Sequence, residues 1–440
     1  MATADVSISI LGKHLSGVFR GRLQWLTKGS LAIADQGIFS GSNFLLNVLM
    51  ARWLTPSDYG AFALAYSVFL LVLVVHNALL ASPMMVFGSG KYNECFARYL
   101  RALISAHFKL MLPGAFLLAT AAFSLGRVYS AAVGRAFLAL AVACPFILLL
   151  WLLRRAFYVM LAPQWSAIGA AIYLLVLIGS AHALWAVGRL TAATGYLAMG
   201  CSSIVACVFL LLVLRPPLAT APSITRTAIG DHWRYGKWVA AGAGPGWLVD
   251  NVYFLALPVW AGLAEAGALK ALLNLAMPAL QSISALTALL LPVLVRDRNP
   301  GGSRNVIRTT GRMLGVLFVG SVCYLAIMVG FGSHIFQYVY GNRYTVYAGW
   351  TALLLGLLPL FEGVSYILST ALGALERPDL TFWSAGVGAF VALTVGVPIS
   401  MRLGAAGAIL GIAVTYVLMG LTMGIFLVQT RRCAKGTVKR

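Results

Sequence analysis

Apolar residues run in long blocks broken by short polar punctuation, and each block is long enough to cross a bilayer. A hydrocarbon core about 30 Å thick takes roughly 20 residues of helix at about 1.5 Å rise each. The pattern predicts twelve spans: 31–53, 59–82, 104–125, 133–153, 165–187 and 194–214, then 238–260, 266–294, 313–333, 347–369, 381–401 and 405–427. The longest connection between them, 215–237, is too short for a soluble domain. The expected organisation is therefore an amino-terminal segment 1–30, a six-helix bundle 31–214, a linker 215–237, a second bundle 238–428 and a basic tail 429–440. Any function has to sit in or between the helices of an all-α polytopic membrane protein.

Sliding the chain by 207 residues lays Ala51–Gly60 over Pro258–Gly267. Trp53 meets Trp260, Asp58 meets Glu265, Gly60 meets Gly267 and Asn43 meets Asp250. Six is even, so the two halves share one orientation and are expected to be related by an axis along the membrane normal, around a central cavity.

Composition agrees with the pattern: 61% of residues are hydrophobic, 10% are charged and the mean hydropathy is +0.90. A net charge of +21 would point to nucleic acid in a soluble protein. Here its distribution reads differently. The termini and the loops on one side hold 25 of the 32 Lys and Arg, which by the positive-inside rule places both ends in the cytoplasm, with no nucleic-acid partner and with membrane lipids around the basic rim. Before residue 30 no compact apolar core ends in a small-residue cleavage site, so the first stretch reads as a retained helix. The six cysteines are scattered, with no disulfide framework and no metal-ligand spacing.

The segment Leu46-Asn-Val-Leu-Met-Ala-Arg-Trp-Leu-Thr-Pro-Ser-Asp-Tyr-Gly-Ala-Phe-Ala-Leu-Ala65 resembles the opening of the polysaccharide transporter family, with Thr55 where Gly is usual. Val339-Tyr-Gly-Asn-Arg-Tyr344, Ala371-Leu-Gly-Ala-Leu-Glu-Arg-Pro-Asp379 and Leu403-Gly-Ala-Ala-Gly-Ala408 resemble the entry to that family's tenth helix, its exit and the start of the twelfth. The resemblance covers essentially the whole chain. The family holds Wzx-type O-antigen and exopolysaccharide flippases, within a superfamily shared with lipid II flippases and multidrug antiporters. The two extra carboxy-terminal helices usual in lipid II flippases are not seen. The resemblance implies a bacterial inner-membrane flippase for undecaprenyl-diphosphate-linked oligosaccharides, working by alternating access without a cofactor. Polysaccharide polymerase and export proteins are its implied partners.

Polar residues inside the spans point to candidates, since an ionisable group at a helix centre costs about 2.5–3.5 kcal/mol and so faces water, a partner or a substrate. Lys270, Asn274, Gln281 and Ser284 fall on one face of the eighth span; Asp35, Gln36, Ser40, Asn43 and Asn47 do so on the first. These stripes either line a cavity or hold helices together. A diphosphate calls for charge-assisted donors, which makes Lys270 the first candidate and Arg52 the second, their alternatives being snorkelling and a pair with Asp58. His76 either meets the headgroup or caps a neighbour. Tyr66, sharing a face with Tyr59 and Asn77, offers stacking and a hydroxyl. Asp250 follows the bend-permitting Gly242-Ala-Gly-Ala-Gly-Pro-Gly246 and is either an ion-coupling group or the structural partner of Lys270. Glu362 and Asp35 are the other ion-coupling candidates. No nucleophile–base pair, phosphate loop or large outer loop is present, which argues against a polymerase or ligase. A multidrug antiporter of the same architecture remains the competing reading, to be separated by whether the cavity is cationic or acidic.

Overall fold

A computed structural model describes residues 30–217, 222–347 and 349–437. The amino-terminal segment before residue 30 and the last three residues lie outside it. Among the described residues the chain is helical, with no strand, and forms twelve long helices in order. They are α1 (30–53), α2 (Pro56–Ser89), α3 (Phe96–Val128), α4 (Ala131–Val159), α5 (Pro163–Ala186) and α6 (Ala192–Leu214). The second half gives α7 (Pro222–Trp260), α8 (263–301), α9 (303–340), α10 (Trp350–Ala374), α11 (378–403) and α12 (405–437).

Local sequence sets the breaks. Thr55 caps α2 by accepting from the Asp58 amide, with Pro56 in the first turn; Ser130 caps α4, and Thr191 with Thr194 forms a capping box on α6. Gly302 and Gly404 take positive φ (58° and 62°), a region that costs any other residue, and there α8 turns into α9 and α11 into α12. Much of the connection 215–237 is helical: α7 already begins at Pro222, whose fixed φ suits a first turn. Inside α2 a π-turn at Asn77–Ala81 precedes Pro83, and inside α11 another at Ala392–Gly396 precedes Pro398; each wider turn accommodates the hydrogen bond that the proline cannot donate.

Two six-helix bundles result. Lipid tails are as apolar as leucine, so helices pack through close van der Waals contact of small residues, not through the hydrophobic effect. A Cβ on Gly134 would lie 3.1 Å from the Gly126 Cα, and one on Gly200 2.9 Å from the Ala143 Cβ. Phe116, Leu117 and Phe123 of α3 are about two-thirds exposed and present an apolar face to lipid. Most of the described lysines and arginines gather at one end of the bundles, the basic end, where α1, α3 and α7 start and α4 finishes.

The bundles meet along two seams. At the end opposite the basic one, Gly60 of α2 and Gly267 of α8 lie back to back. A Cβ on Gly60 would sit 1.7 Å from the Leu263 carbonyl oxygen, and one on Gly267 2.4 Å from the Pro56 carbonyl oxygen. Position 263 is 56 plus the repeat offset, so the contact is reciprocal, as a two-fold axis between these glycines requires. The second seam joins α2 and α3 to α7. The Trp247 indole donates to the Ser67 carbonyl (2.9 Å), and Gly236 presses on the Ala78 carbonyl. His232 bridges the Leu79 carbonyl (2.9 Å) and the Tyr99 hydroxyl (2.6 Å).

Candidate functional site

Between the seams the polar faces of α1 and α8 meet tyrosines of α2 and the Phe254 ring of α7. Asn274, one turn beyond Lys270, donates to the Tyr59 hydroxyl across the bundles (2.9 Å). The Lys270 ammonium lies 4.2 Å from the centre of the Tyr66 ring and 6.0 Å from that of Phe254, so its charge rests on aromatic faces. Among the described residues no carboxylate pairs with it. Asn47 is buried beside Tyr66, with its side-chain oxygen unpartnered while its amide donates to the Asn43 carbonyl (2.8 Å). Asn43 in turn accepts from the Tyr173 hydroxyl (3.2 Å). Lys270, Asn274, Asn43, Asn47 and Tyr66 thus form one belt just inside the glycine contact. Gln281 and Ser284 continue the same face of α8 toward the basic end, where both are exposed; Gln36 is exposed on the matching face of α1.

The remaining candidates lie elsewhere. Asp250 does not hold Lys270: its carboxylate accepts from the Tyr416 hydroxyl of α12 (2.6 Å). Glu362 is buried on α10 beside Tyr366 and within electrostatic range of Asp250, so two of the three ion-coupling candidates lie near one another inside the second bundle. The third, Asp35, is wholly buried in the first bundle in an ion pair with Arg154 (2.8 Å), and Tyr158 donates to it as well. His76 reaches no cleft. It is buried against His107 (3.0 Å), which contacts the Pro145 carbonyl (2.9 Å). Arg52 is not paired with Asp58, whose carboxylate accepts from Thr55; it donates instead to the Tyr338 carbonyl at the end of α9 (3.3 Å). With Arg343, His182 and the stacked Trp53 and Trp185 it lines a cavity of about 500 Å³ at the end opposite the basic one.

Sequence reasoning missed Arg154 and Arg155. Both stand near the end of α4, where arginine reads as a topological charge, and only the fold shows Arg154 turned inward onto Asp35 and the Phe39 ring (3.7 Å). It also missed the clasp at the basic end, where Asp231 accepts from Lys91 (2.6 Å) and Tyr92 (2.7 Å). The hydrogen bond from Lys91 holds the Asp231 carboxyl below its usual range, and the same bond raises Lys91.

The sequence matches no family model and no curated protein. Solved structures share the fold over nearly the whole chain. An inward-facing multidrug resistance MATE family transporter of the MOP superfamily aligns with a TM-score of 0.78 at 12% identity, over 92% of this chain and 99% of that one. The lipid II flippase MurJ in an inward closed conformation gives 0.72 at 12% identity, over 92% and 87%. An outward-facing MATE family transporter gives 0.63 at 11% identity, over 93% and 96%. These neighbours are two transporters and a flippase, and this chain shares their multi-pass membrane fold.

Proposed function

We propose that the chain is a flippase that carries undecaprenyl-diphosphate-linked oligosaccharide repeat units across a bacterial inner membrane by alternating access, for surface polysaccharide assembly. In this reading both termini are cytoplasmic and the basic end is the entry side. One observation carries it: the cation at the meeting point of the two bundles, Lys270, has no acid partner among the described residues and rests on Tyr66. A half-buried cation without a counter-ion is costly, and an anionic headgroup offsets that cost where an organic cation would add to it. The acids that would serve an antiporter, Asp250 and Glu362, sit apart in the second bundle, tied to tyrosines.

That acid pair is the specific support for the second reading, a multidrug or organic-cation antiporter. The two separate in cells. Loss of this protein should leave an undecaprenyl-linked repeat unit on the cytoplasmic face and strip a surface polysaccharide. Intact surface glycan together with new sensitivity to cationic dyes would favour the antiporter.

A further inference from the structure

Arg154 and Arg155 are neighbours in sequence with different electrostatic fates. Arg154 is buried and neutralised by Asp35, its side chain 5% exposed. Arg155 has no carboxylate partner among the described residues; its guanidinium lies 5.4 Å from the centre of the Trp151 ring. Both line a cavity of about 400 Å³ between α1 and α4 whose other walls are Ala32, Ile33, Gln36, Met85, Trp151 and Tyr158. Because Asp35 already balances Arg154, the described lining keeps one net positive charge, set among apolar and aromatic walls.

Depth is informative. Arg155 stands four residues before the end of α4, roughly 6 Å inside it and two residues past the apolar run that ends at 153, while Ile33, Met85 and Trp151 extend an apolar surface beside it. A ligand suited to this site carries a compact anion at the interface and a hydrocarbon tail next to it. Gln36 lines the same cavity, donates to Ser40 (3.1 Å), and begins the polar face of α1 that leads through Asn43 and Asn47 to Lys270.

We propose that this cavity is the loading site for the polyprenyl diphosphate end of the substrate, with Arg155 gripping the phosphates before they pass along α1 to Lys270. The proposal rests on the flippase reading and adds to it a first station and a tail-binding wall. Arginine suits the role because its planar fork binds phosphate oxygens bidentately and stacks on an indole at the same time.

The test uses the full chain in phosphatidylcholine nanodiscs with a photoactivatable farnesyl diphosphate as the probe. Cross-links should map to residues 32–36, Met85 or 151–158. Arg155→Gln should weaken labelling affinity about tenfold or more, Arg155→Lys less, and unlabelled farnesyl diphosphate should compete where farnesol does not. Matched thermal unfolding of the variants confirms that they are folded, and the wild-type map stands without any variant. Unchanged labelling of Arg155→Gln, or equal displacement by phosphatidylglycerol, overturns the site as a polyprenyl diphosphate station. Cross-links confined to the Lys270 belt overturn it too, yet leave the flippase reading standing. No diphosphate labelling anywhere sinks both.

Discussion

Three cations at three depths behave differently because of what faces them. Arg154 meets a carboxylate, so the pair is a structural strut. Removing the arginine strands a buried anion, and Arg154→Ala should cost about 3–5 kcal/mol of stability, read as a lowered unfolding midpoint in detergent. Lys270 meets aromatic rings instead, so its removal strands nothing. Lys270→Ala should leave stability nearly unchanged and cripple transport, whereas Lys270→Arg should retain part of it; wild-type transport by Lys270→Ala would reduce the residue to a packing element. Lys91 is exposed, and its bond to Asp231 is a surface pair screened by water and salt. Its pH window follows from the shifts. Asp231 is lowered, so its contribution is full above the ordinary value of 3.8 and is lost as pH falls below that; Lys91 is raised, so its contribution is full below 10.5 and is lost above it. The clasp should therefore be unchanged between pH 5 and 9. Any pH dependence of transport in that range should survive Lys91→Ala, as measured by comparing pH profiles of the two proteins.

At the scale of helices, the glycine pair at 60 and 267 decides how closely α2 and α8 approach. The added methyl of Gly60→Ala would meet backbone, the Leu263 carbonyl oxygen, which cannot swing aside as a side chain can. The variant should part the bundles at this end and shift the population toward states open there, seen as longer spin-label distances between α2 and α8 at that end. Unchanged distances would mean that the seam yields elsewhere. The elements themselves were legible from the sequence because hydrophobic run length is a local property. The offset laid Gly60 over Gly267 as equivalent positions, and only the fold shows that the two touch across the two-fold axis. The stripes on α1 and α8 were legible for the same periodic reason, and the residues the fold gathers at the belt come mostly from them. Pairings were not legible. Asp250 and Lys270 sit on adjacent helices, yet Asp250 turns to Tyr416, 166 positions away, and Arg154 reaches Asp35 across 119. Helical periodicity fixes the face of one helix and says nothing about which distant side chain meets it.

For the whole molecule, the bundles are closed at one end by the glycine contact and the Arg52 bond to Tyr338, and along one side by α2, α3 and α7. The polar faces of α1 and α8 are uncovered toward the basic end, through Gln36, Gln281 and Ser284. Under the proposed alternating access the glycine contact opens while those faces come together, and a substrate drives the change only by binding one arrangement more tightly than the other. In the proposed flippase a diphosphate bound at Lys270 would supply such a difference, because the belt joins side chains of both bundles. The most direct test is a flipping assay in sealed vesicles holding the purified protein and a fluorescent undecaprenyl-diphosphate oligosaccharide, scored by access of an impermeant quencher. The account predicts rapid transfer by the wild type, loss of transfer in Lys270→Ala, and no uptake of an organic cation by the same vesicles. Organic-cation uptake with a stationary glycolipid would contradict it.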